Sequence, residues 1–282
     1  MAGYAHPELL AETDWLAAHL TDPNLRIVDC RYYYDGRVGR DAYLAGHIPG
    51  AVYMAHPTDL SDPTATPPNL APRPEGVAAT MGRLGIGNDT LVVGYDDEGA
   101  HTAARLWWVL AYYGHTKVKL LNGGIVKWLA EGRPIESGQV TPEPVVFRPG
   151  PPHADMRIRG DELKSELNDP RLGLLDVRRL TEYSGAEVRA ARGGRIPGAT
   201  HLLWQENLNA DWTFRSAEEI QARHEAAGAT PDQNVVTYCQ SGIRAAHAAF
   251  SLRLIGYENV RMYDGSWNEW GNRSDLPIET GV

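Results

Sequence analysis

The chain has 282 residues, of which 43% are apolar, and its formal net charge at pH 7 is -9. This length and apolar content predict two globular domains of similar size and argue against a disordered chain. The negative charge argues against nonspecific binding to nucleic acid or to anionic membranes, because both require a basic surface. Residues 1–10 do not resemble a signal peptide and no apolar run is long enough to span a membrane, so we expect a cytoplasmic protein.

The sequence repeats itself at an interval of about 142 to 148 residues. Four segments of the first half recur in the same order in the second half: 27–31 as 174–178, 46–51 as 194–199, 91–95 as 234–238 and 122–124 as 264–266. An ordered recurrence of this kind indicates duplication of a whole domain. We therefore predict domains at 1–136 and 153–282, joined by a proline-rich linker at 137–152.

Short apolar runs alternate with helical patterns in both halves. In the second half, residues 172–176 and 234–238 are predicted to form buried strands. A helix is expected over 216–227, with Ser216 as its N-cap and Glu219 at position N3, and another over 244–255. Strands that alternate with helices predict an α/β fold, with a mainly parallel sheet flanked by helices in each domain.

Cys239 lies between the predicted strand 234–238 and the predicted helix 244–255, at the sheet edge where α/β domains bind ligands. Amide N–H groups, the helix N-terminus and the Arg244 guanidinium would all favour an anion there, first a thiolate and then a persulfide. Gly242 would allow positive φ in a tight loop. Cys239 is therefore the predicted nucleophile. The residues predicted to form the site around it are Gln240, Ser241, Gly242, Ile243 and Arg244.

Two other interpretations apply to this loop. A free cysteine is often a core residue, and this is our expectation for Cys30, which lies inside an apolar run with no anion-binding loop after it. Cysteine phosphatases also place Cys and Arg at the two ends of a strand-to-helix loop. Their loop is one residue longer than residues 240–243, and Tyr238 stands here in place of their usual His. The shorter loop fits a single sulfur better than a phosphate.

Taken together, these segments resemble the two-domain rhodaneses, over nearly the whole chain. The similar segments are 29–31, 46–51, 105–108, 121–124, 176–178, 238–244 and 263–270. The resemblance implies tandem rhodanese-like domains, of which the second is catalytic and the first is an inactive copy with Asp96 at the position of Cys239. The acidic loop 96–99 is expected to be solvated. The resemblance also implies sulfur transfer from a small anionic donor to cyanide, a thiol or a thioredoxin-like acceptor, without a metal or cofactor.

The resemblance leaves two donors open, thiosulfate and 3-mercaptopyruvate. Ser241 occupies the place of a serine that takes part in proton transfer in the mercaptopyruvate enzymes, with Asp41 and His47 as candidate partners. Arg244 stands where those enzymes have Thr, and its charge favours a compact dianion. We predict a thiosulfate sulfurtransferase, with 3-mercaptopyruvate sulfurtransferase and a noncatalytic rhodanese-type binding module as alternatives.

The sequence departs from the family pattern at Glu182, which stands where a donor-binding Arg is usual. Arg244 and three arginines of the nearby segment, Arg189, Arg192 and Arg195, are predicted to bind the donor instead. Arg178 is expected to pair with acidic neighbours inside its own domain.

Overall fold

The computed structural model of the protein describes residues 3–281 and contains two α/β units. The elements of the first unit are β1 (Leu10–Ala11), α1 (Thr13–His19), β2 (Leu25–Asp29), α2 (Gly39–Ala45), β3 (Val52–Tyr53), α3 (His56–Asp59), α4 (Pro74–Arg83), β4 (Leu91–Tyr95), α5 (Ala103–Tyr112), β5 (Val118–Leu121) and α6 (Gly124–Ala130). Those of the second unit are β6 (Arg157–Ile158), α7 (Gly160–Glu166), β7 (Leu172–Asp176), α8 (Leu180–Ser184), β8 (Thr200–His201), α9 (Ala217–Ala226), β9 (Asn234–Tyr238), α10 (Ile243–Leu254), β10 (Val260–Tyr263) and α11 (Ser266–Trp270). None of the helices described is long and apolar enough to cross a membrane.

Each unit contains a five-stranded sheet in which all neighbouring strands are parallel, as the sequence predicted. The strand order is β1-β5-β4-β2-β3 in the first sheet and β6-β10-β9-β7-β8 in the second. The predicted strands at 172–176 and 234–238 are confirmed as β7 and β9. The repeated sequence therefore folds twice into one topology, and in each sheet the carboxyl ends of the strands lie at one edge.

The repeated Asp-X-Arg motif forms a buried hydrogen-bonded pair in each unit. Arg178 donates to both oxygens of Asp176, and its Nη2 also donates to the carbonyl of Gly194 at 2.7 Å. In the first unit, Arg31 makes the same bonds to Asp29 and to the carbonyl of Gly46. The predicted structural role of Arg178 is confirmed, since its donors are used inside the domain.

Helix α9 begins as predicted. The Ser216 Oγ accepts the Glu219 N–H, and the Glu219 carboxylate accepts the Ser216 N–H at 3.2 Å, which completes a capping box.

The two units pack against each other through α5 and α10. Trp107 on α5 contacts Phe250 on α10 edge to face, with ring centroids 5.1 Å apart. The fully buried Arg105 donates to Asp264 at 2.7 Å, which links the first unit to the loop after β10. The predicted helix over 244–255 is α10, and it is buried on almost every side, because it lies between its own sheet and α5. This packing fixes the cleft between the two units.

Residues 137–152 contain neither helix nor strand and run along the first unit. The Val145 N–H donates to the carbonyl of Gly82 at 3.0 Å, the Gly150 N–H donates to that of Tyr113 at 2.9 Å, and the Phe147 ring is buried. An extended proline-rich connection fits these contacts. The division at 136 and 153 stays a prediction.

Candidate active site

Cys239 directly follows β9, and its side chain is almost fully buried, with 1% of the residue exposed. Its Sγ accepts the N–H of Gly242 at 3.2 Å, and its own N–H donates to the Ser266 Oγ at 3.1 Å. Gly242 has φ of 84°, a left-handed conformation that lets the loop turn back to the sulfur. The sulfur therefore lies at the positive end of α10, where an anion is stabilised.

A cavity of about 280 Å³ opens beside this sulfur between the two units. It is lined by Tyr34, His101, Arg179, Arg189, Cys239, Gln240, Ser241, Ile243 and Arg244. Six of these residues were predicted site residues: Arg189, Cys239, Gln240, Ser241, Ile243 and Arg244. Gly242 was also predicted, and its N–H donates to the sulfur. Tyr34 and His101 belong to the first unit, so both units are needed to form the walls of the cavity.

The three arginines of this cavity lie around the buried carboxylate of Glu182. Arg244 donates to both of its oxygens, at 2.7 and 2.9 Å. Arg179 and Arg189 lie 3.3 and 3.4 Å from the same carboxylate. Arg179 also lies 3.2 Å from the Glu187 carboxylate. Three guanidinium groups and two carboxylates therefore leave one net positive charge next to Cys239. Glu182 therefore does not mark a loss of positive charge, as its replacement of Arg had suggested, but a different way of placing it.

The charges of this cluster stabilise one another. Burial alone would raise the pKa of Glu182, but the hydrogen bonds and charge of Arg244 outweigh burial and lower that pKa to about 2. Burial also opposes the charge of Arg244, yet the hydrogen bonds and charge of the Glu182 carboxylate outweigh burial and raise the pKa of Arg244 above its ordinary value. Both side chains of the pair are therefore charged at neutral pH.

The structure corrects the prediction that Arg192 and Arg195 bind the donor, because it places both outside the cavity. The Arg192 guanidinium donates to main-chain carbonyls near the C-terminus of the chain, including those of Trp270 and Leu276, both at 2.9 Å. Arg195 pairs with Glu279 at 3.4 Å and lies over the Tyr183 ring. Both arginines hold the C-terminal segment against the second unit.

Three residues of the cavity were not among the predicted site residues: Arg179, Tyr34 and His101. Arg179 could have been found, because it follows β7, which neighbours β9, and so lies at the same sheet edge as Cys239. Tyr34 and His101 come from the other unit, so the packing of the two units brings them to the sulfur.

The candidate proton relay to Ser241 is not assembled. His47 is fully buried, with its Nδ1 2.8 Å from the Tyr43 carbonyl and its Nε2 3.1 Å from Glu136. Neither His47 nor Asp41 is among the described residues that line the Cys239 cavity. Ser241 lines that cavity without either candidate partner.

The loop of the first unit that matches the Cys239 loop is built around Asp96. This carboxylate is 2% exposed and accepts four amide N–H groups, from Glu98, Ala100, Thr102 and Ala103, at 2.8 to 3.0 Å. The expectation of a solvated acidic loop was wrong for Asp96, because these amides bind its charge inside the fold.

Cys30 is a core residue, as predicted. It is fully buried in the apolar core, and burial raises the pKa of its thiol well above the ordinary value.

Comparison with known proteins agrees with this geometry. The model of the rhodanese-like domain matches residues 12–131 and again 160–273. The chain belongs to the rhodanese-like family. It is 40% identical to the sulfur carrier protein TtuD of Thermus thermophilus, over 99% of each chain. It is 38% identical to a thiosulfate sulfurtransferase of Corynebacterium glutamicum, over 99% of this chain and 92% of the relative.

A solved structure shows the same tandem fold. The crystal structure of SseA from Escherichia coli, a 3-mercaptopyruvate sulfotransferase of the rhodanese fold, superposes with a TM-score of 0.82. The two chains are 30% identical, and the match covers 92% of this chain and 98% of SseA. The rhodanese-like tandem predicted from the repeats is confirmed, and the chain is a sulfurtransferase.

Proposed function

We propose that this sulfurtransferase moves the outer sulfur of thiosulfate to a thiophilic acceptor through a persulfide on Cys239. The observation that carries the proposal is the Cys239 sulfur, which accepts the Gly242 N–H beside a small cavity lined by three arginines. The Cys239 thiolate attacks the outer sulfur of thiosulfate. A new S–S bond forms, the original S–S bond breaks, and sulfite leaves with the bonding electron pair.

In the second half of the reaction, a nucleophilic acceptor attacks the outer sulfur of the persulfide and releases the Cys239 thiolate. The acceptor is cyanide, a thiol or a thioredoxin-like protein. The Gly242 N–H and the α10 N-terminus stabilise the persulfide anion between the two steps. A cytoplasmic location belongs to the proposal, since Cys30 and Cys239 are both free and suit a reducing compartment.

The charge of the cavity favours thiosulfate as the donor. Arg179, Arg189 and Arg244 against Glu182 and Glu187 leave one net positive charge, which favours a compact anion such as thiosulfate. A cavity of about 280 Å³ suits a small ion better than a larger substrate. His47 contacts Glu136, which also argues against the proton relay to Ser241 that would favour 3-mercaptopyruvate.

Gln240 has a positioning role in this proposal. Its Nε2 donates to the carbonyl of Arg189 at 3.0 Å and to the Asn268 Oδ1 at 2.6 Å. These bonds tie the segment that carries Arg189 to the Cys239 loop. Ser241 and Ile243 form the remaining wall next to the sulfur.

Mass spectrometry of the intact protein tests the proposal. After incubation with thiosulfate, native protein should gain the mass of one sulfur atom, whereas Cys239→Ser should gain nothing and lose turnover by on the order of 10⁴-fold or more. Cys30→Ala is the matched control, because it removes the other cysteine, and it should still gain sulfur. More efficient loading by 3-mercaptopyruvate would show that this compound, and not thiosulfate, is the preferred donor. Appreciable turnover by Cys239→Ser would overturn the assignment of the nucleophile.

A further inference from the structure

A second and much larger cavity, of about 1060 Å³, lies on the first unit next to the Cys239 cavity. Tyr34 lines both cavities, so they meet at this residue. The larger cavity is formed mainly by the segment between β2 and α2, by α3 and by residues 139–141. Its volume is at the upper end of the roughly 300–1,000 Å³ of small-molecule sites, whereas the Cys239 cavity is at the lower end.

The larger cavity is basic although the protein as a whole is acidic. Arg37, Arg40 and Arg83 line it together with a single carboxylate, that of Asp59, which pairs with Arg83 at 2.6 Å. Arg37 pairs with Asp35 at 2.9 Å, outside the cavity lining. Arg40 donates to the neutral Gln139 Oε1 at 3.3 Å, and no carboxylate within residues 3–281 pairs with it. A ligand of this cavity would therefore carry negative charge.

Aromatic and apolar side chains form much of the rest of the lining. Tyr32 and Tyr34 pack edge to face, with ring centroids 5.0 Å apart, and the Arg37 guanidinium lies over the Tyr33 ring at 3.8 Å. Tyr34 and Val38 are 59% and 56% exposed, a large exposure for apolar side chains. Rings and exposed apolar groups next to arginines suit a ligand that combines a carboxylate with an apolar or amide body.

We propose that the larger cavity binds the body of a low-molecular-weight thiol that carries carboxylates, and that its sulfur reaches the Cys239 persulfide past Tyr34. This inference rests on the proposed function, since it assigns the acceptor of the second half-reaction. The acceptor thiolate attacks the outer persulfide sulfur and forms a new S–S bond. The bond from that sulfur to Cys239 breaks, the Cys239 thiolate leaves, and the acceptor departs as a persulfide.

A single-turnover experiment tests the assignment. Protein loaded with thiosulfate and freed of excess donor is mixed with glutathione, a tripeptide thiol with two carboxylates, or with the uncharged thiol 2-mercaptoethanol. In an Arg37→Ala, Arg40→Ala variant, the glutathione concentration for half-maximal rate should rise about tenfold, as expected when a charge-assisted contact is lost. The rate with 2-mercaptoethanol should stay unchanged. An Arg148→Ala, Arg171→Ala variant is the charge-matched control, because both arginines are exposed and line neither cavity.

Binding of S-methylglutathione, which has no free thiol, tests the cavity whether or not the persulfide forms. Calorimetry should show binding to native and control protein, weakened about tenfold in the Arg37→Ala, Arg40→Ala variant. Equal binding in all three proteins, no binding to native protein, or an equal loss of rate with 2-mercaptoethanol would each overturn the inference. Binding as expected without any persulfide would instead overturn only the proposed function.

Discussion

The Asp96 loop of the first unit and the Cys239 loop of the second share one backbone design and differ in what it holds. Each loop follows a tyrosine at the end of a central parallel strand. Each also has a glycine with positive φ three positions after Asp96 or Cys239, namely Gly99 and Gly242. The first loop closes around its own carboxylate, which accepts four amides. The second leaves a sulfur that accepts one amide. A loop of this shape binds an anion. In the first unit the Asp96 carboxylate is that anion, whereas the second unit leaves room for an anion that the substrate supplies.

The residue five positions after Asp96 or Cys239 shows the same division. In the first loop it is His101, whose Nδ1 lies 2.9 Å from Glu98 and whose ring stacks on Trp204. In the second loop it is Arg244, held by Glu182. Both side chains line the Cys239 cavity, but only Arg244 brings a permanent positive charge. The first unit therefore contributes a wall, and the second contributes the charge and the nucleophile.

Removal of the Arg244 charge should have the largest effect, because this charge distinguishes the Cys239 loop from the Asp96 loop. In Arg244→Gln, kcat/KM for thiosulfate should fall by about 10- to 100-fold, since a charge-assisted contact with the donor is lost. The free energy of unfolding should also fall, by about 3 kcal/mol, because the buried Glu182 loses its main partner. Steady-state kinetics and urea denaturation measure the two effects.

A double variant separates the two roles of Arg244. Glu182→Gln with Arg244→Gln removes both charges, so it should recover most of the lost stability while kcat/KM stays low. If the double variant recovered activity as well, Arg244 would act only by neutralising Glu182, and its role in donor binding would be wrong.

The Asp96 loop is predicted to matter for stability and not for chemistry. Asp96→Asn replaces a carboxylate that accepts four amides by a group with one acceptor oxygen and an NH₂ directed at N–H groups. The free energy of unfolding should fall by about 1–3 kcal/mol, with kcat/KM changed less than about threefold. Asp97→Asn is the neighbouring control, since Asp97 accepts a single side-chain hydrogen bond from the part of the chain that the structure describes, that of the Tyr33 hydroxyl. Equal losses in the two variants would contradict the anchoring role of Asp96.

The fold could be predicted from the sequence because its signals are local and occur twice. The apolar runs that became β7 and β9 have the length and residue types of buried strands, and the Ser216 cap lies next to the helix that it starts. The position of Cys239 at a strand end followed from the same pattern. These features depend on residues that are near one another in the chain.

The arrangement of charges around Cys239 could not be predicted, because it depends on contacts between distant residues. Glu182 and Arg244 are 62 positions apart, and nothing local shows that their side chains meet. The prediction for Arg192 failed for a related reason, since its partners are main-chain carbonyls, which every residue carries and no sequence pattern reveals. Asp96 was predicted to be solvated because the amides that bind it are equally invisible in the sequence.

The smallest effect expected is a pH dependence that belongs to the Cys239 loop. The pKa of Glu182 is lowered from 4.5 to about 2 in the folded protein, so the folded state keeps this carboxylate ionised where the unfolded chain already takes up a proton. Glu182 therefore stabilises the fold fully above pH 4.5, and this contribution is lost as the pH falls towards 2. Because other carboxylates titrate in the same range, the quantity to measure is the difference in urea midpoint between native protein and Glu182→Gln.

That difference should be constant from neutral pH down to about 4.5 and should shrink below it. Asp97→Asn serves again as the control, because the Asp97 carboxylate accepts the Tyr33 hydroxyl and no arginine within residues 3–281 pairs with it. If the native and Glu182→Gln midpoints stayed equally far apart at pH 3, the packing of Glu182 and not its charge would stabilise the loop. Asp96 would then still take the place of a bound anion in the first loop. The charge of Glu182, however, would not be what positions the cation for an anion in the second loop.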